Sequence, residues 1–231
     1  GVVVADAETK RKIDAVYYII DPEYRVGGMY SGELRIKEKN VCVTDRKHAL
    51  KEIIEWLLSY RVQKLFAYNA SFDKRHLPEL SGYEWYDIMR LAAYRQYNNA
   101  IPSSADCYQT GKLKRGYGVE DVLRMLGDNK SFTETHNAVL DAEDELKIMQ
   151  LLGHEIEQYN IARILDKKSS VIESQNNQTK GEKEENSKVK FVERKNRAIV
   201  ENNDNRKAKS VKSGKDTHNK KRGLLARIFG R

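Results

Sequence analysis

The sequence predicts an α/β fold, a mixed β-sheet with helices packed against it. Two observations carry this. Apolar, β-branched stretches of strand length open the chain, and a helix-period stretch, one more strand and a run of helical patterns follow. Strands and helices in that order fit a layered α/β sandwich around a mixed sheet.

Residues 2–8 ("VVVADAE") read as a buried strand, and residues 15–20 ("AVYYII") as a second one, aromatic and β-branched. Gly27 and Gly28 mark a turn. Residues 30–36 ("YSGELRI") alternate as a third strand, and 41–44 add a short piece. In "HALKEIIEWLLSY", Leu50, Ile53, Ile54, Leu57 and Leu58 recur at helical spacing, which gives a helix with one apolar face. Residues 64–70 ("KLFAYNA") form a further strand. Helices are predicted at about 72–80, 84–96, 118–127 and 137–159. Residues 97–117, which hold Asn, Ser, Gly and Pro, read as a loop placed to cover a site.

Charge divides the chain. Residues 1–165 carry 23 Lys+Arg against 25 Asp+Glu, and residues 166–231 carry 19 against 9. A folded body at 1–165 with a basic arm is the expectation. Residues 166–219, mostly Lys, Glu, Asn and Ser, are too poor in apolar groups to offset chain entropy and read as a disordered charged linker. Residues 220–231 ("KKRGLLARIFGR") read as a short basic amphipathic helix, with Leu224, Leu225, Ile228 and Phe229 on one face. Three roles are open to the tail: a silent solvated extension, an electrostatic tether to nucleic acid, or a helix docking on a protein partner. Two cysteines, Cys42 and Cys107, make no disulfide framework, so a reduced, cytoplasmic setting is expected. No apolar run reaches the ~20 residues of a membrane span, and no signal peptide is expected.

The chemistry lies in three stretches. In "VVVADAET", Asp6 and Glu8 sit two apart on a strand, so they share a face. Two carboxylates held about 7 Å apart repel each other, and a hard divalent cation relieves that. Alone, the pair reads first as a strand end at the surface with both acids solvated. In "AYNASFDKRHL", Asp73 follows a strand and a turn, where it serves as a helix cap or a ligand. In "THNAVLDAEDELKIM", His136 precedes a helix that carries Asp141. Five residues is about 140° around a regular helix, so His136 reaches Asp141 only from the preceding loop.

Taken together, D-x-E-T, "NASFD" and "HNAVLDA" resemble, in order and spacing, the DnaQ-like 3′–5′ exonucleases of the DEDDh type, a family that includes polymerase proofreading subunits, ribonuclease T and oligoribonuclease. The resemblance covers about residues 1–160. It implies a ribonuclease-H-like mixed β-sheet flanked by helices, and two divalent ions, Mg²⁺ or Mn²⁺. By position in the motif, Asp6 would bridge both ions. Glu8 and Asp141 would ligate the ion carrying the attacking water, Asp73 would hold the second, and His136 would be the general base. The backbones of Ala7 and Thr9 should line the pocket for the terminal nucleotide, with Asn69 and Phe72 beside it, Phe72 placed to stack on a base. The position before Asn69, often histidine in the family, is Tyr68.

The function this implies is hydrolysis of phosphodiester bonds from the 3′ end of single-stranded nucleic acid, DNA slightly preferred over RNA, by a two-metal mechanism. The layout of body, linker and terminal piece is similar to that of proofreading subunits, which makes a polymerase or clamp a candidate partner of 220–231. Three alternatives stand beside it: a non-catalytic nucleic-acid-binding or assembly protein on the same fold, an exoribonuclease acting in RNA processing, and an endonuclease on that fold.

Overall fold

The structure is a computed structural model of the 231-residue chain that describes residues 1–27, 32, 34 and 41–165, and the backbone of 222–226. Gly1–Ile164 and Lys220–Arg231 belong to one compact unit and Leu165–Asn219 to a second. All of the secondary structure described lies in the first. The expected disordered linker at 166–219 is outside the described residues, as is most of the expected strand at 30–36.

Strand β1 (Val2–Asp6) is the clearest product of the sequence. Val2, Val3 and Val4 are each at most 1% exposed, so the strand is covered on both faces. Side chains alternate across a strand. Val3 and Ala5 therefore join one core with Phe66, Tyr86, Val122, Leu146 and Met149, while Val2 and Val4 join the opposite core with Leu50, Ile53, Leu57, Leu65 and Trp85. Removing each of these large side chains from water stabilises the fold by about 1.5–3 kcal/mol.

Strand β2 (Lys12–Ile20) pairs antiparallel with β1, and β3 (Val41–Thr44) pairs parallel with β2. Helix α1 (Arg46–Ser59) starts at Asp45, whose side chain accepts the His48 N–H at 3.0 Å, an N-cap that meets one otherwise orphan donor. Its Leu50, Ile53 and Leu57 cover one face of the sheet, as their spacing predicts. Strand β4 (Lys64–Ala67) leads through a turn into α2 (Ser71–His76). Helices α4 (Val119–Leu126) and α5 (Ala138–Leu152) cover the other face through Val122, Leu123, Leu146 and Met149. Helix α5 ends at Gly153, in left-handed backbone (φ 69°), whose N–H returns to the Met149 carbonyl. The predicted mixed sheet with flanking helices is therefore present.

The helices expected at 72–80 and 137–159 end early, at His76 and Leu152, and two further elements differ in kind from the sequence reading. Residues 84–96 are not one helix. Glu84–Asp87 is strand β5, paired parallel with β4, and only Met89–Ala92 is helical (α3). Trp85 enters one core and Tyr86 the other, which is strand alternation, and large aromatic rings favour a pleated surface. The second difference is at the C-terminus. Arg222–Ala226 is strand β6, not part of a helix. Its neighbours β1 and β4 both offer a ladder edge, and the order across the sheet is β3-β2-β1-β6-β4-β5.

Strand direction then decides where the candidate residues stand. Strand β6 is antiparallel to β1 and parallel to β4, so β1 and β4 run in opposite directions. Val3 is level with Leu225 and Phe66, and Ala5 with Gly223 and Lys64. The C-terminal end of β4 is thus level with the start of β1.

Candidate metal centre

The turn after β4 is held by two buried carboxylates. Tyr68 N–H donates to Glu145 Oε2 at 3.1 Å, and Asn69 N–H donates to Asp87 Oδ1 at 2.9 Å. Asp87 Oδ1 also accepts the Met89 N–H at 3.0 Å, which ties the turn to α3. Burial pushes the Asp87 carboxyl above the usual carboxylate range, against the opposing pull of those backbone N–H groups. Asn69 has left-handed backbone (φ 61°), which a short polar side chain tolerates better than most. Phe72 N–H donates to the Asn69 carbonyl at 2.9 Å, which starts α2 and sets Asp73 inward, 3% exposed. Burial, with the Asp87 and Glu145 charges, raises the Tyr68 phenol above its usual range.

A second segment reaches the same region from the other side. His136 is also left-handed (φ 55°), one of four such non-glycine residues described. Strained backbone of this kind concentrates at functional sites. The Asp141 N–H donates to the Asn137 carbonyl at 2.8 Å, and Asn137 donates through Nδ2 to Tyr17 Oη at 3.2 Å. Glu134 N–H donates to Glu120 Oε2 at 3.0 Å, and Glu120 is itself ion-paired with Arg124. Held this way, Glu134, His136 and Asp141 each bring one ligand atom within 4.8 Å of the others.

The Gly1 nitrogen is buried against the start of α5, near Ala138 and Val139. The charges of Asp141, Asp73 and Glu145 all act at this buried position. Three carboxylates thus bear on one buried point. Asp141 and Glu145 are four apart on α5, so they share its inward face, and both are fully buried. Two carboxylates and an imidazole are a donor set suited to a divalent ion, hard at the oxygens and borderline at the nitrogen.

Asp6 and Glu8 do not belong to the Glu134–His136–Asp141 group. They stand at the far end of β1, about 13 Å along the strand from Val2 at about 3.3 Å per residue. Asp6 Oδ1 accepts the Thr9 N–H at 2.9 Å and the Thr9 hydroxyl at 2.8 Å, which closes a tight turn. Glu8 is exposed. Helix α5 runs alongside β1, and its late residue Gln150 donates to the Lys10 carbonyl at 2.7 Å, well past Asp141. Ala7 is buried in the core and Thr9 is spent on Asp6, so neither lines the centre. Asn69 and Phe72 do lie at the Asp73 end, the Phe72 ring 4.2 Å from that of His76.

Sequence reasoning missed Glu134, Glu145 and Asp87. Signals for two of them were present. Glu134 and His136 repeat the alternating spacing of Asp6 and Glu8, and Glu145 lies one turn from Asp141. Asp87 carries no such mark, because its role depends on a strand read as helix. Comparison with protein-family models, curated proteins and solved structures finds no match for this chain.

Proposed function

We propose that the protein is a divalent-ion-dependent 3′–5′ exonuclease on a ribonuclease-H-like fold, removing nucleotides from single-stranded 3′ ends. One observation supports this reading: His136 and Asp141 bring ligand atoms together with Glu134, and Asp73, more than sixty residues away in sequence, acts with Asp141 and Glu145 on one buried point. The order of the three sequence stretches supports it. The position of Asp6 and Glu8 stands against a centre built from all five motif residues.

Glu134, His136 and Asp141 would hold the ion, with Asp73 contributing charge beside them. A bound ion would supply Lewis-acid activation of water and of a phosphoryl oxygen. The residues themselves do the rest. Asp141 and Asp73 concentrate negative charge that selects a cation and, alone, would repel a phosphate. His136 either helps hold the ion or, left off it, offers an imidazole base to water within hydrogen-bond reach. Phe72, half-buried beside Asp73, offers a ring face to a terminal base.

No helix among the described residues is long and apolar enough to cross a membrane. A free C-terminal helix for a polymerase or clamp is not part of this proposal, because the backbone of 222–226 is engaged by β1 and β4.

Matched 3′- and 5′-labelled single-stranded DNA and RNA, incubated with Mg²⁺ or Mn²⁺ and with chelator, test the reading. Stepwise 3′ shortening that chelator abolishes is expected, and the DNA-to-RNA rate ratio assigns the substrate. Absence of cleavage with every metal would leave nucleic-acid binding as the function to pursue.

A further inference from the structure

We propose that the segment from Arg90 to Tyr117 is a contact strip for single-stranded nucleic acid, built from three cation–tyrosine pairs. The inference rests on the nucleic-acid reading above and extends it from the 3′-terminal nucleotide to the chain behind it.

Residues 90–117 hold five Lys+Arg and one acid, Asp106, within a body that otherwise carries an excess of acids. The fold sorts these charges. The Arg90 guanidinium lies 5.5 Å from the centre of the Tyr94 ring and donates to its hydroxyl at 2.9 Å. Lys112 Nζ lies 4.7 Å from the Tyr117 ring, and Lys114 Nζ 5.8 Å from the Tyr108 ring. Backbone bridges join Tyr94 to Lys112 and Cys107 to Leu113, and the Tyr108 N–H donates to the Lys112 carbonyl at 2.8 Å. The three pairs are therefore held side by side. Arg95 is occupied differently. Its guanidinium donates to the carbonyls of Pro102, Ser103 and Ala105, which closes the outer turn.

Tyr108 is 55% exposed, and no other Phe, Tyr or Trp among the described residues is exposed rather than buried or half-buried. A ring left in water beside lysines is suited to stack on a base while the ammonium meets phosphate. Lys114 also pairs with Asp106 at 2.9 Å, but a pair this exposed contributes little and does not prevent phosphate binding. The strip begins beside the carboxylates. The Tyr68 hydroxyl donates to the Tyr117 carbonyl, while the Tyr68 N–H donates to Glu145. Arg90 sits on α3, whose start is tied through Asp87 to Asn69. A strand with its 3′ end at Asp73 and Asp141 would meet these tyrosines next.

The test is fluorescence anisotropy with the full chain and a 5′-labelled twelve-nucleotide oligothymidylate, in EDTA so that no hydrolysis occurs. The variant combines Arg90→Gln, Lys112→Gln, Lys114→Gln and Tyr108→Ser. Its Kd should rise by roughly tenfold or more, and its salt dependence should fall by about two in log–log slope, one step of about 0.7 per lost cation. The basic tail is common to both proteins and cancels. An unchanged Kd and slope would overturn the strip, as would a wild-type chain that does not bind the oligonucleotide. Binding lost in the variant, from a wild type that hydrolyses nothing, would keep the strip and discard the exonuclease. If the variant does not fold, photo-crosslinking of a 5-bromouracil oligonucleotide to the wild type decides. Adducts within 90–117 support the strip, and adducts only elsewhere overturn it.

Discussion

At the scale of single residues, Asp141 and Asp6 make opposite demands on one experiment. Asp141 is fully buried within 4.8 Å of Glu134 and His136 ligand atoms. Asp6 closes a turn with Thr9 at the other end of β1. Asp141→Asn should abolish hydrolysis and weaken Mn²⁺ binding in titration calorimetry. Asp6→Asn should leave both close to wild type, with a small loss of stability as the charged acceptor is lost. If Asp6→Asn is as inactive as Asp141→Asn, the two share a centre and the antiparallel placement of β1 and β4 is wrong. His136 asks a different question, base or ligand. As the base, His136→Gln should lower kcat by roughly 10²–10⁴ with metal affinity kept, and should flatten the acid limb of the pH–rate profile. Loss of metal affinity in the same variant would make it a ligand instead. Asp73, His136 and Asp141 were singled out because each lies in a stretch with its own spacing rule, whereas Glu134 and Glu145 were passed over. That Asp6 and Glu8 would stand apart was not legible, because strand direction is a property of the sheet and not of "VVVADAET".

At the scale of elements, one buried carboxylate joins the β4 turn to α3. Asp87 accepts from Asn69 and Met89, so it fixes where the turn lies relative to the next helix. Asp87→Ala leaves two buried N–H groups without that acceptor and should cost about 1–3 kcal/mol for each donor that water cannot reach. Asp87→Asn keeps an acceptor oxygen and removes the charge. Since burial raises the Asp87 carboxyl in the folded state, the fold binds its proton more tightly than the unfolded chain does. The stability this contributes is full below the ordinary aspartate range, near 3.9, and is lost as pH rises through the higher folded value. Asp87→Asn should therefore flatten that part of the stability–pH curve, read as Tm across the acid range. An unflattened curve would mean that the Asp87 proton is not linked to folding. This element was misread because Glu84–Asp87 is only four residues long, too short for alternation to show, and its Trp–Tyr pair also fits a helix face. Helices α1 and α5 are longer, their apolar residues recur at helical spacing, and both were legible in the sequence.

At the scale of the whole molecule, the sheet is closed by the end of the chain. Strand β6 lies between β1 and β4, so those two strands meet through a segment that follows them by more than 150 residues. No local pattern encodes such a pairing. "GLLARIF" carries enough Leu, Ile and Phe for either a helix face or a strand, and only the two open ladder edges decide between them. The consequence is that these residues belong to the stability of the body and not to a dispensable tail. Leu224 is level with Val4 on one side and Leu65 on the other. Leu224→Pro removes a backbone N–H from the middle of this sheet, where proline is essentially excluded. With about 3 kcal/mol or more lost, and about 2–4 °C per kcal/mol in a chain of this size, Tm should fall by roughly 6–12 °C. Bare edges on β1 and β4 should also raise aggregation. Leu224→Ala, which keeps the N–H, separates ladder from side chain: the larger loss should belong to the proline. A Leu224→Pro protein that melts with the wild type would take Arg222–Ala226 out of the sheet, and would leave β1 and β4 free to pair directly, the one rearrangement that could return Asp6 to the side of Asp73.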